Sequence, residues 1–274
     1  MALAGFNSTP MRYFIHLAYS GKNYHGWQRQ TNVLGIQDVI EEKLSLLLGK
    51  PVFIHGCGRT DAGVHAHQYF FQLEIEESWD FDFVFRINKM LPPDIAVFEI
   101  IPVTENANAQ HDAIRRTYDY YLHFKKTPFL ADHSTWYEGF ELTQLEKMAK
   151  GANILTQYND FRALCKRPDK VGHTRCNLSA VNIYKNKNGD RLRIEITSNR
   201  FLRGMIRLIV TKLLEIGQGR LSLEDWENFI ARNENPSFKR FAPPQGLHLS
   251  KIEYPFLNIT PKREIGEWVK VVCS

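Results

Sequence analysis

Cys57-Gly58-Arg59-Thr60-Asp61-Ala62-Gly63-Val64-His65-Ala66 lies between two strand-like runs, Val52-Phe53-Ile54 before it and Tyr69, Phe71, Leu73 and Ile75 after it. Aromatic and β-branched residues at such spacing read as strands, and Gly58 and Gly63 as bends in the connection. A guanidinium and a carboxylate two residues apart therefore sit on a short loop held by strands, where reactive groups tend to be carried. The same pattern fits a plain turn in which Asp61 caps its own backbone. The loop by itself leaves both readings open.

Working outward, Met11–Tyr19 reads as a first strand. Ile36, Val39, Ile40, Leu44, Leu47 and Leu48 mark one face of a helix that Gly49 and Pro51 end. After the loop and its outgoing strand, a helix over 81–91 is capped by Asp80 or Asp82 and stopped by Pro92-Pro93, and Ile95–Ile101 returns as a strand. The order strand, helix, strand, strand, helix, strand is that of a ferredoxin-like split unit. Residues 102–112 are polar and read as a linker.

The order then repeats. A long strand over 113–125 carries Tyr118, and a helix near 142–155 follows. The loop Phe161–Gly172 holds Arg162, Lys166, Arg167 and Lys170, either as solvated charge or as an RNA contact. A hairpin over 174–197 turns at Asn188-Gly189. A helix over 199–216, another over 222–232 and a strand segment Gly246–Leu249 complete the series. The expected fold class is α+β, with two ferredoxin-like α/β subdomains around a central, mostly antiparallel sheet. Their expected bounds are 11–105 and 106–257, with a tail over 258–274.

Arg200, Arg203 and Arg207 fall at helical spacing near the start of the 199–216 helix. The helix dipole gives no benefit to cations there, so the stripe points to phosphate or to a buried carboxylate such as Asp61, against the alternative of a solvated face. The loop Ser20–Gln30, with Lys22, Tyr24, Trp27 and Gln28, mixes rings, amides and cations in a way that suits nucleic acid. Equally, Trp27 tucks inward.

The chain has 274 residues, 43% hydrophobic and 24% charged, with a net charge of +5 and a pI of about 8.9, a mild bias compatible with nucleic acid. No apolar run approaches the roughly 18 residues of a membrane span. Met1–Pro10 lacks the features of a signal peptide and is expected to be a loose leader. Cys57, Cys165, Cys176 and Cys273 have no metal-ligand spacing, which points to a reducing cytoplasm and away from disulfides or zinc. His55, His65, His67 and His111 lack partners at ligand spacing, so metal is not expected. No phosphate-binding loop or dinucleotide glycine pattern occurs. A lone aspartate among arginines and tyrosine suggests a cofactor-free reaction with the carboxylate as nucleophile or base.

The run Gly58–Ala66 resembles the catalytic loop of the TruA family of tRNA pseudouridine synthases. Further matching residues lie in order: Tyr19-Ser20-Gly21 through Tyr24, Gly26 and Gln28; Arg116-Thr117-Tyr118-Asp119-Tyr120; Phe201-Leu202 with Met205-Ile206-Arg207; and Ala242-Pro243-Pro244 with Gly246-Leu247-His248-Leu249. The resemblance implies a homodimer that isomerises uridine in the tRNA anticodon stem-loop without cofactor, metal or membrane. It implies Asp61 as the catalytic carboxylate, Arg207 as its charge partner, Arg59 in the space left by a flipped nucleotide, Tyr118 stacked on the base and Leu247 on the base's other side. Arg116, Arg200, Arg203, Lys22 and Gln28 are the expected RNA contacts. Two positions depart from the family pattern: Gln110 stands where relatives carry arginine, and Gly204 where they carry a larger side chain. The Gln110 change motivates an alternative, a tRNA-binding paralogue without activity. A histidine-based metal hydrolase is a more distant one.

Overall fold

The computed structural model describes residues 11–75, 79–139, 145–261 and 267–272. The expected Met1–Pro10 leader, the first three residues of the 142–155 helix and Cys273 lie outside them. The chain divides into two compact units. The first holds the chain through Ala113 together with Tyr254–Phe256; the second holds Ile114–Glu253 and the chain from Leu257 on. Both are mixed α+β with mostly antiparallel sheets. Among the described residues, no helix is long and apolar enough to cross a membrane.

In the first unit β1 (Met11–Tyr19) is central, pairing antiparallel with β3 (His65–Ile75) on one side and β4 (Ile95–Val103) on the other. A two-residue β2 (His55–Gly56) pairs with β3. Helix α1 (Ile36–Leu48) follows the apolar spacing of its sequence and ends at Gly49, whose φ of 67° is the left-handed conformation a helix stop favours. Helix α2 (Phe83–Met90) is capped by Asp82, whose carboxylate accepts from the Phe85 N–H at 2.9 Å. Val52–Ile54 is not a strand, because side chains of α1 take its backbone donors: Ser45 Oγ accepts from Val52 and Glu41 Oε1 from Ile54, each at 2.9 Å.

The expected linker is exposed along much of its length but packed at two alanines. Ala107 and Ala109 are buried, the Ala109 N–H donates to the Gln72 side chain at 3.1 Å, and the Tyr254 hydroxyl donates to the Ala109 carbonyl at 2.5 Å. This cover meets Gln72, and both faces of β3 are buried although one reads as polar: Gln68 and Gln72 are enclosed along with Tyr69 and Phe71.

In the second unit β5 (Arg115–His123) lies between β8 (Arg191–Ser198) and β9 (Leu247–Glu253), with β7 (Leu178–Asn186) beyond β8. Two short strands went unseen in the sequence. β6 (Thr135–Trp136) pairs parallel with β5, and β10 (Trp268–Lys270) brings the expected tail back onto β7. Helix α3 (Leu145–Leu155) packs on α4 (Met205–Gly217) and α5 (Leu223–Arg232). Gly151 permits the close approach, since a Cβ there would meet Ile216 Cδ1 at 2.6 Å, and the buried Trp226 indole donates to the Gly151 carbonyl at 2.9 Å.

Candidate functional site

The Asp61 loop is tied on both sides of the aspartate. The Cys57 N–H donates to the Phe70 carbonyl at 2.8 Å, and the Tyr69 hydroxyl to the Gly58 carbonyl at 2.5 Å. One residue before Asp61, the buried Thr60 hydroxyl meets the Tyr19 hydroxyl at 2.9 Å, and the Thr60 carbonyl accepts from the Trp27 N–H at 3.3 Å. Beyond it, the Val64 N–H closes a turn onto the Asp61 carbonyl at 3.2 Å, with Gly63 at φ 75° as the turn's third residue. The Gly63 N–H donates to the Tyr24 carbonyl, and His65 Nδ1 accepts from the Gly21 N–H, both at 3.1 Å. Asp61 is half-buried and Arg59 exposed, so the fixed backbone presents a carboxylate with access to solvent.

The Ser20–Gln30 loop is the brace for this arrangement. Trp27 is buried and stacks on Tyr69, centroids 4.0 Å apart and planes at 29°, so its ring is core and not a base platform. Gly56 lies beneath it, where a Cβ would come within 2.4 Å of the indole nitrogen. Gly26, at φ 95°, lets its backbone reach the Thr60 carbonyl, which a Cβ would meet at 2.3 Å. The Tyr24 hydroxyl donates to Asp94 at 2.7 Å; burial first, and then Asp94, push its pKa well up. Lys22 and Gln28 are exposed.

The second unit carries the other expected site residues. Tyr118 on β5 is half-buried, and its ring meets Phe201 edge-on at 5.2 Å. Arg116, two positions earlier, donates to the Asn199 carbonyl at 3.4 Å. Leu247 opens β9 opposite Tyr120, which places it on the same sheet face as Tyr118. Arg207 Nε donates to the Ala242 carbonyl at 2.5 Å, and the Ala242 N–H returns a bond to the Arg207 carbonyl at 3.1 Å. The buried Tyr120 hydroxyl donates to the Pro243 carbonyl at 2.9 Å; burial, with Tyr137 second, raises its pKa strongly. Arg207 and Tyr120 thus strap down the segment that delivers Leu247. Tyr19, Thr60, Tyr120, Phe201 and Ala242 all appear in the sequence motifs, but nothing local in the sequence signals these contacts.

The basic stripe does not exist as one helical face. Helix α4 starts at Met205, behind Gly204 at φ 75°, so Arg200 and Arg203 precede it and only Arg207 lies on it. The Gly204 departure has a cause here: the left-handed backbone excludes most side chains, and a Cβ would meet the Phe241 ring at 2.6 Å. Arg200 instead contacts the His173 ring, at 2.9 and 3.1 Å, and the Arg203 carbonyl accepts from the Lys166 N–H at 2.9 Å. Gln110 lies in an exposed turn, its N–H donating to Asn108 Oδ1 at 2.9 Å.

Residues 158–255 match the family model described as tRNA pseudouridine synthase. The chain is 40% identical over 247 residues to a protein named tRNA pseudouridine synthase A from Parabacteroides distasonis, covering 89% of this chain and 96% of the relative. A protein of the same name from Azobacteroides pseudotrichonymphae is 40% identical, covering 89% and 97%. One from Bacteroides thetaiotaomicron is 37% identical, covering 89% and 91%.

Proposed function

The chain belongs to the tRNA pseudouridine synthase A family, and from that premise we propose Asp61 as the carboxylate that carries its reaction. The protein is an isomerase that converts uridine to pseudouridine in tRNA. In that conversion the bond from N1 to C1′ breaks, the base turns, and C5 bonds to C1′. The C5 proton leaves and N1 gains one, so nothing is added or lost overall.

The observation that supports Asp61 is the cross-bracing of its loop: hydrogen bonds hold the backbone at Gly58, Thr60 and Gly63 while the carboxylate stays half-exposed. Such preorganisation holds a reacting group near its productive geometry. Asp61 attacks the base or the ribose, or takes a ribose proton. We assign Arg207 as the cation that keeps Asp61 ionised on desolvation. Arg59 fills the space of the flipped uridine, whose extrusion costs a few kcal/mol. Tyr118 stacks on the base and assists loss of the C5 proton, and Leu247 packs on the base's opposite side. Arg116, Arg200, Arg203, Lys22 and Gln28 contact the RNA backbone. The substrate region is the anticodon stem-loop, the protein acts in the cytoplasm as a homodimer, and the reaction needs neither cofactor nor metal. Strand orders β4-β1-β3-β2 and β9-β5-β8-β7 support a ferredoxin-like topology for both units.

The test is Asp61→Asn and Asp61→Ala. Both are expected to abolish pseudouridine formation, read by tritium release from C5-labelled uridine in tRNA, while thermal stability and tRNA binding persist. Near wild-type turnover by Asp61→Ala would remove the assignment. Mapping pseudouridines in tRNA from cells with and without the protein identifies the target uridines.

A further inference from the structure

The charged segment from Asp160 to Arg175 forms a built cavity. It is an open cleft of about 520 Å³ lined by Asp160, Arg162, His173, Thr174 and Arg175, with Pro168, Val171 and Gly172 as its apolar or small wall. Its backbone is fixed from several sides. The Phe161 N–H donates to the Thr174 carbonyl at 3.1 Å, the Cys176 N–H to the Asn159 carbonyl at 2.9 Å, and the Ala163 N–H to Asn233 Oδ1 at 3.1 Å. Lys166 is tied to Arg203, as described above.

The electrostatics favour an anion. Arg162 and Arg175 line the cavity and Arg200 reaches its His173, against the two carboxylates of Asp160 and Asp169. Asp160 is committed to the wall, accepting from the Thr174 hydroxyl at 2.5 Å. Asp169 pairs with Arg162, but both are exposed, and an exposed pair contributes little and exchanges readily. Arg167 and Lys170, exposed on the same loop, add positive charge to the segment. Guanidinium groups take phosphate oxygens in pairs, which makes arginines the fitting lining for a phosphodiester.

The position supplies the ligand's identity. Arg200, on the cavity's His173, is followed directly by Phe201, whose ring meets Tyr118. Resting on the tRNA reading above, we propose that this cavity is a phosphodiester subsite for the same RNA, gripping the backbone of a nucleotide near the one that Tyr118 contacts. Its work is anchoring, not chemistry.

Arg175→Gln tests this, because Arg175 is exposed and lines the cavity. In an Asp61→Asn background, binding of an unmodified tRNA transcript is measured across salt concentrations. The expected result is about fivefold weaker binding and a log–log salt slope smaller by about 0.7–0.9, the signature of one lost phosphate contact. Arg175→Lys restores much of both. In the active protein the loss falls on KM, with the thermal midpoint unmoved. If a protein that binds and modifies tRNA keeps its affinity and slope on Arg175→Gln, the cavity proposal falls and the enzyme reading stands. If the parent protein neither binds nor modifies tRNA, both fall.

Discussion

The hydroxyls of Tyr19 and Thr60 meet at 2.9 Å between two buried residues, tying the end of β1 to the residue just before Asp61. Removing one partner leaves the other's polar group enclosed without it. Tyr19→Phe is therefore expected to cost about 1–2 kcal/mol of stability. Its loss of activity should fall mainly on kcat, because the Asp61 backbone loosens while RNA contacts remain. Replacing both hydroxyls, Tyr19→Phe with Thr60→Val, should cost less than the sum of the single changes. Urea unfolding and pseudouridine assays on the four proteins check this; strictly additive losses would show that the pair is not a unit.

Gly26 tests the brace from the other side. Its φ of 95° and the 2.3 Å approach to the Thr60 carbonyl mean that Gly26→Ala meets backbone and not a flexible side chain. The expected cost is about 2 kcal/mol or more, with a large drop in turnover. Gly49 is the control, since it has φ 67° but open space around it. Gly49→Ala should cost only about 1 kcal/mol and leave kcat unchanged. Equal effects of the two substitutions on kcat would refute the role of close approach.

Much of this fold was legible because its signals are local. The apolar spacing of 36–48, the Asp82 cap and the Asn188-Gly189 turn each act within a few residues, and each element formed. The failures share a physical cause in distant partners. Val52-Phe53-Ile54 has the β-branched and aromatic residues of a strand, yet its donors go to Ser45 and Glu41 on a helix. The 102–112 segment reads as a linker because it is polar, yet Ala107 and Ala109 are buried and Tyr254, from far along the chain, bonds the Ala109 carbonyl. Helical spacing runs through Arg200 and Arg203, and nothing in that spacing announces the left-handed backbone of Gly204. The candidate site shows the same division between local and distant signals. Asp61 and Arg59 stand out by residue type and glycine punctuation, whereas Tyr19–Thr60 and Arg207–Ala242 join residues 41 and 35 positions apart.

Cys176 gives a prediction in pH. Burial pushes its thiol from 9.0 to about 11. At pH 8 the folded protein should then hold about 100-fold less Cys176 thiolate than an ordinary cysteine, and iodoacetamide should label it slowly until urea unfolds the chain. Because the folded thiol keeps its proton longer than the unfolded one, its contribution to stability is complete below about pH 9 and is lost as pH rises towards 11. Cys176→Ala should flatten that part of the stability profile. Peptide mass spectrometry after timed alkylation reads the first effect; rapid native labelling of Cys176 would contradict it.

Arg207→Lys separates charge from geometry. Lysine keeps the positive charge but lacks the Nε–H that Arg207 donates to the Ala242 carbonyl at 2.5 Å. If Arg207 acts only as a cation for Asp61, the substitution should preserve most of the activity. The bond to Ala242 argues otherwise, because the same segment runs through Pro243, held by Tyr120, to Leu247 on the sheet face of Tyr118. Losing one charge-assisted bond at a part-buried site should cost about 1.5–3 kcal/mol of stability. Turnover should fall by more than tenfold as Leu247 loses its fixed position, with tRNA affinity changed less. Arg207→Gln removes the charge as well and should be worse still. Matching kcat values for Arg207→Lys and the parent protein would leave Arg207 a role in charge alone.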